Sequence, residues 1–249
     1  KQIWNQSNPF VSFVIHDFGL KHRATALAEN CFADNQCKLF LRKIEKEIWP
    51  IESYGESETV EGIKDFIYQK KNLLLVGSTG SGKTSFLSSL IQFISPKEHL
   101  IILEDTEEIE CTHPICSRFI QNEHNSKQKL HHYCSYSLRM TPDRLIVGEL
   151  RSNEVVPFLL TANSGHQGLI STVHANSCID AIERLALLFS IYSNEVSIPF
   201  EQIKKMICQG IDYIIFMENK KISEIIKLKN YDKGEIFFEC LYSQPISFL

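Results

Sequence analysis

A glycine-rich stretch in the first half of the chain has the residue types needed to hold a phosphate. Gly77-Ser78-Thr79-Gly80-Ser81-Gly82-Lys83-Thr84 fits G-x-x-x-x-G-K-[ST] in full, with Ser85 next. Glycines at 77, 80 and 82 allow backbone conformations that a Cβ would forbid. Backbone N–H groups can then converge on phosphate oxygens at the positive end of the following helix. Lys83 supplies a point charge for the β- and γ-phosphates, and the Thr84 hydroxyl can join a Mg²⁺ coordination sphere. The implied ligands are ATP and Mg²⁺, with residues 77–85 on the nucleotide and Thr84 on the metal.

Binding phosphate is not hydrolysis, which also needs a carboxylate to order metal or water. Two places offer one. Glu104-Asp105 ends an apolar run and is followed by Glu107 and Glu108, while Gly148-Glu149 ends another. Acidic residues are often merely solvated, but two such clusters beside a phosphate loop point to Glu104 and Glu149 as catalytic candidates, Glu149 for water. His166 and His174 flank a strand-like run, Leu169–Val173, the fourth in the chain's second unit. A lone histidine is more often structural. His174 follows the run, where a γ-phosphate is expected, and is the better candidate for sensing nucleotide.

The elements that must position these groups follow from periodicity. Leu73–Val76, Leu100–Leu103 and Leu145–Val147 are short apolar runs that predict buried strands, and Leu169–Val173 reads as a fourth strand. Helical spacing links Val60, Ile63 and Ile67, and again Phe86, Leu87, Leu90, Ile91 and Ile94, with a stop at Ser95-Pro96. A helix is expected from Ser152, although Pro157 sits late for its first turns. Ser177 with Asp180 reads as a capping box opening another helix. Strand-like stretches recur at 213–217, 222–228 and 235–238. Strands alternating with helices predict an α/β fold with a mainly parallel central sheet, whose ligands bind beyond the carboxyl ends of the strands. Val11–Ile15 and Lys38–Leu41 are strand-like in a smaller first unit. The expected division is 1–50, a linker at 51–59, and 60–249.

Bulk properties narrow the classes. The 249 residues are 43% hydrophobic and 22% charged, ordinary for a globular chain. A formal charge of −4 and a pI of about 6.2 give no basic footprint, so direct nucleic-acid binding is not expected. No apolar run approaches the roughly 18 residues of a membrane span. The chain begins at Lys1 rather than Met, so an upstream segment is expected. Eight cysteines lack any Cys-x-x-Cys pair and read as reduced thiols. Cys111, His113, Cys116, His131, His132 and Cys134 could be drawn as a metal site, but their spacing matches no standard zinc pattern.

Taken together the motifs resemble one family. The phosphate loop is followed by Ile102-Leu103-Glu104-Asp105-Thr106-Glu107-Glu108. Then come Leu138-Arg139-Met140-Thr141-Pro142-Asp143-Arg144-Leu145-Ile146-Val147-Gly148-Glu149-Leu150-Arg151 and Ser164-Gly165-His166 through His174. These look like the Walker A, Asp box, Walker B and His box of the type II/type IV secretion ATPase superfamily, over residues 73 to about 190. The resemblance is greatest to the conjugation and effector-export branch, since the four-cysteine module of type II members is missing.

The resemblance implies a RecA-like ATPase domain preceded by a small α+β N-terminal domain, here shorter than the family's and so truncated. That domain would act as a lid. Leu39-Phe40-Leu41-Arg42-Lys43 looks like the family's arginine-bearing strand, with Arg23 nineteen residues earlier, so Arg42 and Arg23 are candidates for neutralising the γ-phosphate. Arg139, Arg144 and Arg151 could serve this site or a neighbouring one. The family further implies a homohexameric ring, inner-membrane secretion-channel partners, and peripheral attachment to the cytoplasmic face of the bacterial inner membrane. The function so implied is ATP hydrolysis by a motor that energises type IV secretion. The alternatives are a pilus extension or retraction motor, a DNA translocase, and an assembly module with negligible turnover.

Overall fold

The computed structural model describes residues 9–17, 20–44, 47–122, 125, 127–193 and 198–244. The chain opens with β1 (Phe10–Asp17), β2 (Leu20–Leu27) and β3 (Lys38–Ile44), an antiparallel sheet in the order β1-β2-β3. A short 3-10 turn at Glu29–Cys31 lies between β2 and β3. The sequence pattern reveals β1 and β3 but not β2, whose Lys21-His22-Arg23 breaks the apolar signal. Lys21 and Arg23 face acidic residues of the second unit rather than water.

The second unit alternates helix and strand: α1 (Ser57–Tyr68), β4 (Leu73–Val76), α2 (Lys83–Ile91), β5 (Leu100–Glu104), β6 (Cys116–Ile120), α3 (Leu130–Ser137) and β7 (Arg144–Val147). It continues with α4 (Val155–Ala162), β8 (Leu169–Val173), α5 (Cys178–Tyr192), α6 (Phe200–Gly210), β9 (Tyr213–Glu218), β10 (Lys221–Asp232) and β11 (Glu235–Ser243). Among the described residues these strands form one sheet, β11-β10-β9-β4-β8-β7-β5-β6. From β9 to β6 every pairing is parallel, and β9, β10 and β11 form an antiparallel extension. The expected α/β fold with a mainly parallel sheet is the one observed.

Period-two side-chain alternation splits the core in two. Leu74, Val76, Ile101, Leu103 and Val147 face α4, α5 and α6, meeting Phe158, Leu185, Phe189 and Ile207. Leu73, Leu75, Leu100, Ile102 and Ile146 face α1 and α2, meeting Val60, Ile63, Ile67, Phe86 and Leu90. β4 is buried on both faces, which is why it reads as an unbroken apolar run. Each such aliphatic side chain contributes about 1.5–3 kcal/mol on burial.

Several local expectations shift. α4 begins at Val155 rather than Ser152. The Glu154 carboxylate accepts the N–H groups of Arg151 (2.6 Å) and Ser152 (2.7 Å), holding that stretch outside the helix. Pro157 consequently falls in the first helical turn, where a missing N–H costs nothing. Ser177 Oγ accepts the Asp180 amide at 3.0 Å, the cap read from sequence. The stretch 51–59 packs rather than dangles. Ile51 and Tyr54 are buried, Tyr54 lies 4.9 Å from the Phe86 ring, and α1 starts at Ser57.

Arg144 is placed by the sequence near the chemistry, but it lies at the amino-terminal ends of the strands, opposite the site. It is 1% exposed, donating to Glu98 Oε2 (2.5 Å) and the Ile67 carbonyl (2.6 Å). Arg139 is exposed over the Tyr136 ring. A buried guanidinium stripped of its carboxylate is costly, about 3 kcal/mol. Glu98→Ala should therefore lower stability by about that amount in urea unfolding. A loss below about 0.5 kcal/mol, typical of an ordinary surface change, would show the pair to be ornamental.

Candidate nucleotide site

The carboxyl ends of β4, β8, β7 and β5 open on a cavity of about 320 Å³. Its floor is the phosphate loop. Gly77 (φ +153°) could not carry a side chain: a Cβ would stand 2.4 Å from the Met217 carbonyl oxygen and 2.5 Å from Ser81 Oγ. Gly82 (φ +96°) lies under the tip of the β9–β10 hairpin, where a Cβ would meet Lys220 Cα at 3.2 Å. α2 starts immediately afterwards, so its unpaired first-turn N–H groups and its positive end face the cavity. Thr79, Gly80, Gly82, Lys83, Thr84 and Ser85 line it. Gly77, Ser78 and Ser81, also expected on the nucleotide, are not among the lining residues.

Lys83 is 6% exposed and donates to the carbonyls of Gly77 (2.8 Å) and Ser78 (2.7 Å). Burial pulls its ammonium down to about 8, against the opposing pull of Glu149. Its Nζ also lies 3.3 Å from His174 Nδ1, and His174 Nε2 lies 3.1 Å from Glu149 Oε1. An ammonium only donates, so Nδ1 accepts and Nε2–H donates to the carboxylate. Burial, then the Lys83 charge, lowers the His174 pKa, in keeping with a neutral ring. Lys83, His174 and Glu149 thus form one hydrogen-bonded line. It exists because β8 runs between β4 and β7, and Thr172 Oγ1 ties it to the Gly148 carbonyl at 2.8 Å.

Glu104 lines the same cavity but is differently engaged. At 2% exposure, its Oε1 accepts the amides of Glu108 (2.8 Å) and Ile109 (2.7 Å), and its Oε2 accepts Arg118 at 2.6 Å. Burial raises its pKa, partly offset by Arg118 and those amides. Glu104 therefore braces the acidic loop 105–110 from within.

The β2–β3 register sets Arg23 directly beside Arg42, so the nineteen-residue spacing becomes side-by-side placement on one sheet face. Both line the cavity, with Lys43. Arg23 Nη1 donates to Glu108 at 3.0 Å, and Arg42 Nη1 lies 3.8 Å from the same oxygen. Lys21, almost fully buried, pairs with Glu107 (3.0 Å) and Glu110 (3.4 Å). Arg151 pairs with Asp105.

His166 stands apart at the opposite end of the sheet, its carbonyl accepting from Asn72. The Cys/His loop is divided by the sheet: Cys134 lies in the core on the α4–α6 side, while Cys111 and Cys116 pack on the α1–α2 side. No three metal-ligating side chains converge among the described residues. Lys220 is a lining residue that sequence reasoning missed. Asn219-Lys220, both at positive φ, is a two-residue hairpin turn readable from its flanking strands, but its contact with Gly82 is tertiary.

The residues present fit a nucleotide with Mg²⁺. The cradle tolerates no Cβ, the helix start offers N–H donors, and Thr84 with nearby carboxylates supplies the oxygens a hard cation prefers.

Removing the Glu104 carboxylate tests its bracing role. In Glu104→Ala, the Glu108 and Ile109 amides should exchange with solvent at least about tenfold faster in hydrogen-exchange experiments, given their lost acceptor. Unchanged protection of both amides would show that the loop is held by other contacts.

Comparison with known proteins identifies the family. The family model described as "Type II/IV secretion system protein" matches residues 26–217. The conjugal transfer protein TrbB of Rhizobium radiobacter is 27% identical over 203 residues, covering 77% of this chain and 60% of that protein. The VirB11 ATPase from the Brucella suis type IV secretion system superposes with a TM-score of 0.63 at 22% identity, covering 91% of this chain and 76% of that one. The pilus retraction motor PilT, solved with bound ADP, superposes with a TM-score of 0.65 at 23% identity, covering 96% and 65%. The chain spans 60% of TrbB's length. The chain belongs to the type II/IV secretion system protein family.

Proposed function

We propose that this chain binds ATP with Mg²⁺, hydrolyses it, and as part of a ring energises type IV secretion. The observation that carries the reading is the line Lys83–His174–Glu149 on a complete phosphate loop. Lys83 is held on two carbonyls and a ring nitrogen, and phosphate oxygens are stronger acceptors for it. Its transfer to a bound phosphate removes the partner of His174 Nδ1, so the histidine reports occupancy to Glu149. Glu149 is the carboxylate free to orient an attacking water, since Glu104 is committed to the loop and Arg118. Mg²⁺, held by Thr84 and the site's carboxylates, would neutralise charge on the phosphates. Arg23 and Arg42 approach from the N-terminal sheet and add positive charge near the transferring group.

The secretion part of the proposal rests on the family and on the conjugal-transfer relative. The likeness to PilT is one of fold. Among the described residues no helix is long and apolar enough to cross a membrane, which suits a subunit docked on the inner face of a bacterial inner membrane against channel components. The proposed ring is a homohexamer.

Two variants test the chemistry. Lys83→Ala should abolish phosphate release while its thermal melt stays near wild type, because Lys83 contributes charge rather than packing. Wild-type turnover in the folded variant would remove the loop from the mechanism. Glu149→Gln keeps the shape and loses the charge. It should bind ATP normally and slow single-turnover hydrolysis by at least about a hundredfold, the scale of a positioned acid–base group. A near-normal rate there, with hydrolysis lost in Glu104→Gln, would reverse the two carboxylates' roles.

A further inference from the structure

Arg23 and Arg42 already share an anion. Glu108 Oε1 lies 3.0 Å from Arg23 Nη1 and 3.8 Å from Arg42 Nη1. Its aim is fixed: the Glu108 amide is one of the two that Glu104 Oε1 holds, so the side chain leaves a braced loop toward the N-terminal sheet. The Glu108 and Arg23 side chains are only 19% and 27% exposed. That pair differs from a surface ion pair, where water competes freely, whereas the Arg42 side chain is 62% exposed.

We infer that Glu108 competes with the terminal phosphate of a bound nucleoside triphosphate for Arg23 and Arg42, and so sets how readily these arginines engage nucleotide. The inference rests on the ATP-hydrolysing reading and adds a residue to it. A planar guanidinium fork pairs with carboxylate or phosphate in the same geometry, so the two anions are interchangeable partners. The phosphate carries more charge and more acceptor oxygens, and Lys83 and the α2 start stand ready to share it. Exchange does not undock the sheet. Lys21 stays clamped between Glu107 and Glu110 at 3% side-chain exposure, and Asp105, 3.7 Å from Arg23 Nη2, has Arg151 as a second partner. Glu108 is thus a positioning residue: it acts through the arginines.

The test is a set of dissociation constants for a non-hydrolysable ATP analogue and for ADP, both with Mg²⁺. Glu108→Gln should bind the triphosphate about tenfold tighter, equivalent to roughly 1.4 kcal/mol, and change ADP binding less than about twofold. Glu110→Gln, which removes the same charge from the same cavity but faces Lys21, should not reproduce the gain. The gain should vanish in an Arg23→Ala/Arg42→Ala background. Unchanged or weaker triphosphate binding in a Glu108→Gln protein of wild-type melting temperature overturns the inference. So does an equal gain for ADP, an equal gain in Glu110→Gln, or a gain that survives without the arginines. If Glu108→Gln melts early, Glu108→Asp, which keeps the charge and loses reach, must show a gain of the same sign. Wild-type protein that binds no ATP sinks the hydrolysis reading itself, whereas normal wild-type binding without these gains sinks only the role of Glu108.

Discussion

The parallel pairing of β8 between β4 and β7 is the constraint from which the site follows. β4 delivers the phosphate loop and β7 delivers Glu149, but the two strands do not touch. The strand between them ends one residue before His174, and a neutral imidazole, with an acceptor at one nitrogen and a donor at the other, suits the gap between an ammonium and a carboxylate. Permuting the strands would leave every motif in the sequence and break the line. Because all these strands run parallel, their chemically capable ends gather on one edge, while the amino-terminal edge is left to structural contacts such as Arg144 with Glu98.

The second organising force is electrostatic. The loop 105–110 carries Asp105, Glu107, Glu108 and Glu110, and a run of like charges would ordinarily repel and extend. Here each acid meets a cation: Arg151, Lys21, Arg23 and Arg42 from the outside, with Arg118 reaching Glu104 and Glu107. The N-terminal sheet is therefore joined to the second unit largely through charge at the cavity rim. In the proposed reading, exchange of partners among such pairs lets the sheet respond to a bound anion without repacking aliphatic side chains.

Legibility in the sequence tracked burial and locality. Four of the parallel strands are legible because full burial on both faces leaves a nearly continuous apolar signal, broken in β8 by the buried Ser171 and Thr172. Ser177 with Asp180 was legible because a cap is a contact over three residues. β2 was hidden because its polar residues are consumed by distant acids, and β6 because its Cys116-Ser117-Arg118 start carries no apolar alternation. α6 carries a weak signal although Ile203 and Ile207 keep helical spacing, since Lys204 and Lys205 stand between them. For the site, Lys83, His174 and Glu149 were found from motif position, whereas the commitment of Glu104 to its own loop, the pairing of Arg23 with Arg42 and the approach of Lys220 are facts of tertiary register.

In the proposed mechanism Lys83 exchanges the Gly77 and Ser78 carbonyls for phosphate. The most direct measurement is an experimental structure of the chain with Mg²⁺ and a non-hydrolysable ATP analogue. It should show Lys83 Nζ released from the Gly77 and Ser78 carbonyls onto the β- and γ-phosphates, with Thr84 toward the metal and Glu149 beside the γ-phosphate. A nucleotide bound in that cavity with Lys83 still on its two carbonyls, or bound away from the loop altogether, would contradict it.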